Sequence, residues 1–222
     1  MIMAGAALLA LILGPNLWVR SVLARYAVDR PDYPGTGGEM ARHLLDREGL
    51  PHVRVEEAPA DHYDPNAKAV RLTRDKLDGR SLTAVVVAAH EVGHALQDRD
   101  DSAALKRRGA LVRLAMVTDR ASMLAATIIS LVGGFAVSPR FVLLGVAIVV
   151  GTGLVRVAAD LVTLPLEFDA SFSRALPLLA EGYLPYEDER PARRILLAAA
   201  LTYVARALMS VFNVFRVVRM IR

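Results

Sequence analysis

Long apolar runs bounded by arginine constrain this chain more than any other feature. Residues 2–19, IMAGAALLALILGPNLWV, are followed by Arg20, Arg25 and Arg30. Further on, ASMLAATIISLVGGFAV and FVLLGVAIVVGTGLV are separated only by SPR, and ILLAAALTYVARALMSVFNVF leads into the basic RVVRMIR. An α-helix needs about 20 apolar residues to cross a bilayer. The first run has that length and lacks the basic leader and small-residue cleavage site of a secretory signal, so it reads as an uncleaved anchor. The middle runs read as a membrane hairpin turning at SPR. Each falls short of a full span, with Arg120, Arg140 and Arg156 placed to snorkel at its ends. The last run contains Arg206 and either spans or lies along the interface. A hydrophobic content of 54% and a mean hydropathy of +0.36 agree with a membrane protein.

These runs divide the chain into an anchor (1–20), a water-facing region (21–110), a membrane hairpin (111–163), a helix and loop (164–190) and a C-terminal membrane or interfacial helix (191–222). The chain has no cysteine, which removes disulfides, thiolate metal sites and cysteine nucleophiles, so a transition-metal site must use His, Asp and Glu. The excess of basic residues, 27 against 23 acidic, flanks apolar runs instead of forming an aromatic-interleaved stripe. No nucleic-acid partner is expected.

Within the water-facing region TGGEMARHLLDREGL has helical periodicity, with Thr36 as N-cap and Gly49 just past the end. HVRVEEA and KAVRLTR alternate like strands around the turn-rich PADHYDPN, which predicts a small β-hairpin or paired strands. KAVRLT in particular could be an edge strand able to pair with an extended peptide, or simply complete the sheet. Ser81 then caps a helix running through LTAVVVAAHEVGHALQ. The expected fold class is therefore a mainly α membrane protein, a helical bundle with transmembrane helices and a small β-hairpin or sheet preceding this helix.

That helix carries H-E-x-x-H as His90, Glu91 and His94. Residues four apart share a helix face, so both imidazoles can reach one ion while Glu91 lies beside a water on it. Zinc held this way lowers the pKa of its water to about 7, and a neighbouring carboxylate can take the proton and later return it to a leaving amine. The competing reading is two histidines on a helix by accident. The segment ahead of them is small and apolar nearly all round, however, and buried imidazoles and a carboxylate need partners. Gly93 would allow another backbone to approach closely.

Catalytic zinc usually takes three protein ligands. Six residues beyond His94 stands Asp100, where a glycine turn could deliver a ligand, but Gln97 occupies the place of that glycine. Glu167 in TLPLEFDAS is the better candidate, since it follows an apolar segment and Pro165 and can open a new helix. Asp169 and, more weakly, Asp160 are alternatives. Glu167 and Asp169 could equally just favour a helix N-terminus electrostatically. His62 and Tyr63 in DHYDP either donate to an oxyanion or sit in a turn held by Asp61 and Asp64. His43 and His52 read as structural or surface residues. Arg206 and Tyr203 either face a bundle interior or, for the arginine, snorkel.

Taken together, DHYDP, VAAHEVGHALQ, TLPLEFDAS and AAALTYVA, in this order and spacing, resemble the neutral zinc metallopeptidases of bacterial membranes, the YugP-like group. The resemblance covers most of the chain. It implies an integral-membrane peptidase of the bacterial cell membrane binding one Zn2+ per chain, with His90, His94 and Glu167 as ligands and Glu91 as general base. The chain is also similar to the wider membrane gluzincins, in which an aspartate often stands four residues after the ligand glutamate. Here that position is Ser171, and Asp169 stands two residues on, which opens the question of what orients the histidines.

Arginines after the first run put the water-facing region on the cytoplasmic side, and the hairpin returns residue 167 there too. A full span by the last apolar segment would put the basic tail outside. Either that segment is interfacial or re-entrant, or the charge bias does not govern it. The expected activity is zinc-dependent endopeptidase action on protein or peptide substrates at the lipid bilayer. The alternative is an idle membrane scaffold with a structural zinc site. A transporter is disfavoured because no second polar cluster is visible within the apolar segments.

Overall fold

The computed structural model describes residues 2–133 and 139–220 and is mainly α-helical. Its elements are α1 (Ile2–Arg25), α2 (Gly37–Arg47), β1 (Arg54–Glu57), β2 (His62–Asp64), β3 (Ala69–Leu72), α3 (Arg74–Leu77), α4 (Leu82–Arg99), α5 (Ala103–Gly133) and α6 (Pro139–Phe168). A π-helix (Asp169–Ala175), α7 (Leu176–Ala180), a 3₁₀ turn (Tyr186–Asp188) and α8 (Glu189–Met220) follow. They form two compact units. One comprises Asn16–Leu105 and Leu164–Thr202, and the other Met1–Pro15, Lys106–Thr163 and Tyr203–Arg222.

The first unit is built around α4. Ser81 caps it by accepting from the Ala84 amide at 3.1 Å, and every residue from Leu82 to Gln97 is buried. Alanines and glycine on most of its turns keep the cylinder narrow, so α2, the sheet and the π-helix all pack against it. α2 starts as expected, with a reciprocal capping box between Thr36 and Glu39, and ends before Gly49, whose φ of +74° suits glycine. Leu44, Leu45, Val53, Val70, Leu72, Ile195 and Leu196 close the core with almost no solvent exposure. Each large aliphatic so buried contributes roughly 1.5–3 kcal/mol.

The sheet has the order β1-β3-β2. The two strand-like segments do pair, but in parallel, with Val55 opposite Val70. Residues between them supply a strand of their own, β2, antiparallel to β3 with Tyr63 opposite Val70. The hairpin is therefore β2–β3. Its turn is held by Asp64, whose carboxylate accepts from the amides of Asn66 at 2.9 Å and Ala67 at 3.1 Å, and Lys68 takes φ +49°. Asp61 instead ties the start of β2 to Thr73, accepting from its amide at 2.7 Å. KAVRLT is consequently the central strand, and it has no free edge to offer a peptide.

In the second unit α5, α6 and α8 are cross-linked by charge. Asp119 meets Arg156 at 2.7 Å, Asp160 meets Arg206 at 2.8 Å, and Arg108 donates to the Tyr203 hydroxyl at 2.5 Å. Arg206 also lies over the Tyr203 ring at 4.6 Å. Arg156 and Arg206 thus bridge helices where snorkelling was the expectation. A second polar cluster does exist within the apolar segments, lining a cavity of about 470 Å³ together with Thr163 and Ser210.

By length and composition, Leu143–Ala180 and Tyr186–Phe212 are helical stretches apolar enough to cross a membrane. Leu143, Leu144, Leu154, Leu161 and Val162 project outward from α6, an apolar surface that water would not favour. The expected turn at Ser138 lies outside the described residues.

Candidate metal centre

His90 and His94 occupy one face of α4, their rings in edge contact with centroids 4.8 Å apart. Glu167 arrives on the last turn of α6. The helix runs through Pro165 to Phe168, so Glu167 ends a helix and does not open one. Its Oε2 lies 3.3 Å from Nε2 of His90 and 3.3 Å from Nε2 of His94. The three side chains are almost wholly buried, and their ligand-type atoms lie within 4.8 Å of one another.

Hydrogen bonds on the far sides of the rings settle which nitrogen carries the proton. Gln97 uses its amide NH2 on two acceptors, the Leu166 carbonyl at 2.8 Å and Asp169 Oδ2 at 2.7 Å. Its Oε1 therefore faces His94 Nδ1, at 2.8 Å, as an acceptor. Ser171 donates its hydroxyl hydrogen to the Leu196 carbonyl and so accepts from His90 Nδ1 at 3.1 Å. Both imidazoles carry hydrogen on Nδ1, and both Nε2 lone pairs point at a carboxylate oxygen.

Three electron-pair donors converging without an intervening positive charge would repel one another. A bridging proton or a metal cation resolves this, and an N2O donor set without sulfur suits zinc. Ligand atoms about 2.05 Å from a tetrahedral zinc stand about 3.3 Å apart. That is the separation found here between each Nε2 and Oε2. The residues fit the ion.

The π-helix docks this third element onto α4. A Cβ on Gly93 would lie 2.6 Å from the Ala170 carbonyl oxygen, so only glycine permits the approach. A π-helix at such a position is common at functional sites.

Other sequence candidates fall elsewhere. Asp100 caps the C-terminus of α4 and pairs with Arg174 at 2.6 Å and Arg99 at 2.9 Å, outside the convergent group. Because α4 continues straight through Gln97, no turn redirects Asp100 to the histidines. Its carboxyl is held below its ordinary pKa, first by the Arg174 hydrogen bond and then by Arg99. Asp169 accepts from Gln97 and from Arg174 at 2.8 Å and is likewise not in the group. Asp160 belongs to the Arg206 pair. Glu91 is buried on α4 beside the histidines but is not a member of the convergent set. Tyr63 is buried with its hydroxyl donated to Asp98 at 2.6 Å, and burial followed by that bond raises its pKa. His62 Nδ1 contacts the Ala60 carbonyl at 2.9 Å. His43 meets the Tyr183 hydroxyl at 2.7 Å and His52 is exposed, in line with structural or surface roles.

Gln97 and Ser171 were noticed in the sequence only as departures from expected patterns, a missing glycine and a missing aspartate. Their positions, three residues after His94 and four after Glu167, were the available signal.

A family model described as "Putative neutral zinc metallopeptidase" matches residues 1–222. The chain is 37% identical over 217 residues to a Bacillus subtilis (strain 168) protein named "Putative membrane protease YugP", covering 93% of this chain and 91% of that relative. No solved structure matches it.

Proposed function

Because the chain belongs to the family described as "Putative neutral zinc metallopeptidase", we propose that it is a membrane-embedded, zinc-dependent endopeptidase. One zinc per chain is held by His90, His94 and Glu167, and the substrates are proteins or peptides at the bilayer. The observation that carries this reading is the convergence of two Nδ1-protonated imidazoles and one buried carboxylate at tetrahedral-edge separations.

Bound zinc supplies Lewis acidity toward the scissile carbonyl and a water. The chain's own groups do the rest. Glu91, on the ligand helix and outside the ligand set, accepts a proton from the attacking water and delivers it to the leaving amine. Gln97 and Ser171 keep both imidazoles neutral and directed at the ion. The small, apolar lining of α4 limits bulk water around the reacting groups and strengthens the charge interactions made there. Asp169 supports the site through Gln97. Tyr63 braces β2 against α4, and oxyanion stabilisation is assigned to the metal in preference to His62 or Tyr63. A structural zinc site on an idle scaffold would not require a carboxylate at Glu91 beside the ligands.

We place the active site on the cytoplasmic face, supported by Arg20, Arg25 and Arg30 after the first apolar run. The absence of cysteine permits a direct check. A His52→Cys variant should react with an impermeant maleimide only after cells are opened. Labelling of intact cells would reverse the orientation.

The decisive test compares wild type with Glu91→Gln in detergent, measuring zinc content and casein or self-cleavage. Wild type should hold one zinc and cleave. The variant should keep its zinc and lose about 10²–10⁴-fold in rate. Undiminished cleavage would remove Glu91 as the base, and zinc without cleavage by wild type across many substrates would favour the scaffold.

A further inference from the structure

We infer that Gln97 is a positioning residue of the metal centre, which both sets the tautomer of His94 and fixes the Glu167-bearing peptide relative to it. This rests on the reading of His90, His94 and Glu167 as ligands. Gln97 has no solvent exposure, and its amide is fully engaged. One end accepts from His94, and the other donates to the Leu166 carbonyl and to Asp169. The Leu166 carbonyl belongs to the peptide unit that begins Glu167, so one side chain grips both a ligand ring and the backbone of another ligand. A slip at either end moves one donor atom relative to the other.

Asp169 makes the amide orientation unique. Rotating it by half a turn would set Oε1 against a carboxylate and a carbonyl, and NH2 against the Nδ1–H of His94. Arg174, donating to the same Asp169 oxygen at 2.8 Å, holds that carboxylate in place. The protonation pattern of the metal ligand is thus written by a chain running from Arg174 through Asp169 and Gln97 to His94. In other zinc sites a carboxylate commonly contacts the ligand histidine directly. Here a neutral amide stands between them. It conveys direction without placing a full negative charge on the ring.

The test is zinc affinity, measured by chelator competition on the full-length protein in detergent, with helical content and thermal unfolding of the zinc-free form as controls. Gln97→Met keeps the side-chain length and loses the polar bonds. It should bind zinc about 10–100-fold more weakly while the zinc-free protein retains its helicity. Gln97→Glu should also weaken binding, because its second oxygen faces Asp169 and the Leu166 carbonyl. Adding Asp169→Asn to it restores a donor opposite that oxygen and should return the affinity to within about threefold of wild type. The visible spectrum of the cobalt-loaded protein should depart from wild type in Gln97→Met and recover in the double variant. Affinity unchanged in Gln97→Met, or a double variant no better than Gln97→Glu alone, would overturn the proposal. If wild type binds zinc and Glu167→Ala loses it, those outcomes overturn the positioning role only. If wild type binds no zinc, the ligand reading itself fails.

Discussion

Asp160 and Glu167 lie seven residues apart on one helix, and both side chains are almost shut off from solvent. Their surroundings answer them differently. Asp160 meets a guanidinium at 2.8 Å, so the charge is balanced by a neighbouring side chain. Glu167 meets two imidazole nitrogens at 3.3 Å, each presenting a lone pair. The first arrangement is electrically complete as folded, and the second becomes complete only when a positive species enters. A buried carboxylate facing arginine is architecture; one facing two neutral imidazoles is a receptor for a cation.

Substitution can break this contrast. Glu167→Ala should lower zinc affinity by at least about 100-fold, while Asp160→Ala leaves zinc stoichiometry unchanged; metal analysis after dialysis checks both. Equal zinc loss in the two variants would erase the distinction. Gly93→Ala drives a methyl into the Ala170 carbonyl and should destabilise the zinc-free protein by about 2–3 kcal/mol, read from thermal unfolding. Asp160→Ala should cost less, about 1–2 kcal/mol, because Arg206 is 56% exposed and keeps access to surrounding polar groups. Replacing the pair together, Asp160→Leu with Arg206→Met, should restore most of that loss, as a purely architectural pair allows. Tyr63→Phe removes the bond to Asp98 and should cost about 1 kcal/mol without changing zinc affinity.

The smallest effect concerns pH. The Asp100 pKa is depressed in the folded state, so its pairing adds stability above the ordinary aspartate range. That stability is lost as pH falls through the depressed folded value. Between about pH 5 and pH 3 the unfolding temperature of wild type should fall more steeply than that of Asp100→Asn. Identical slopes would show that the Arg174 contact contributes nothing.

Local patterns made half of the metal centre legible in advance. His90 and His94 follow from helical spacing, and Ser81 and Thr36 announce their helices by capping chemistry that operates within a turn. Glu167 was reachable because zinc demands a third ligand, although Pro165 suggested a helix start where the helix in fact continues. The strand order was hidden, since alternation marks a strand without naming its neighbour. Ser171 meets His90 across 81 residues and Asp119 meets Arg156 across 37, and nothing in either local pattern specifies its partner.

The π-helix after Glu167 bears on how this sequence can vary. The Leu176 amide reaches back to the Ser171 carbonyl, five residues instead of four, so the segment holds a residue that an α-helix of equal span would not. Deleting one residue between Asp169 and Ala175 could leave a sound α-helix. Everything beyond it would still be turned by about 100° relative to α4. In this stretch, changes of chain length should be harder to accommodate than many changes of side chain.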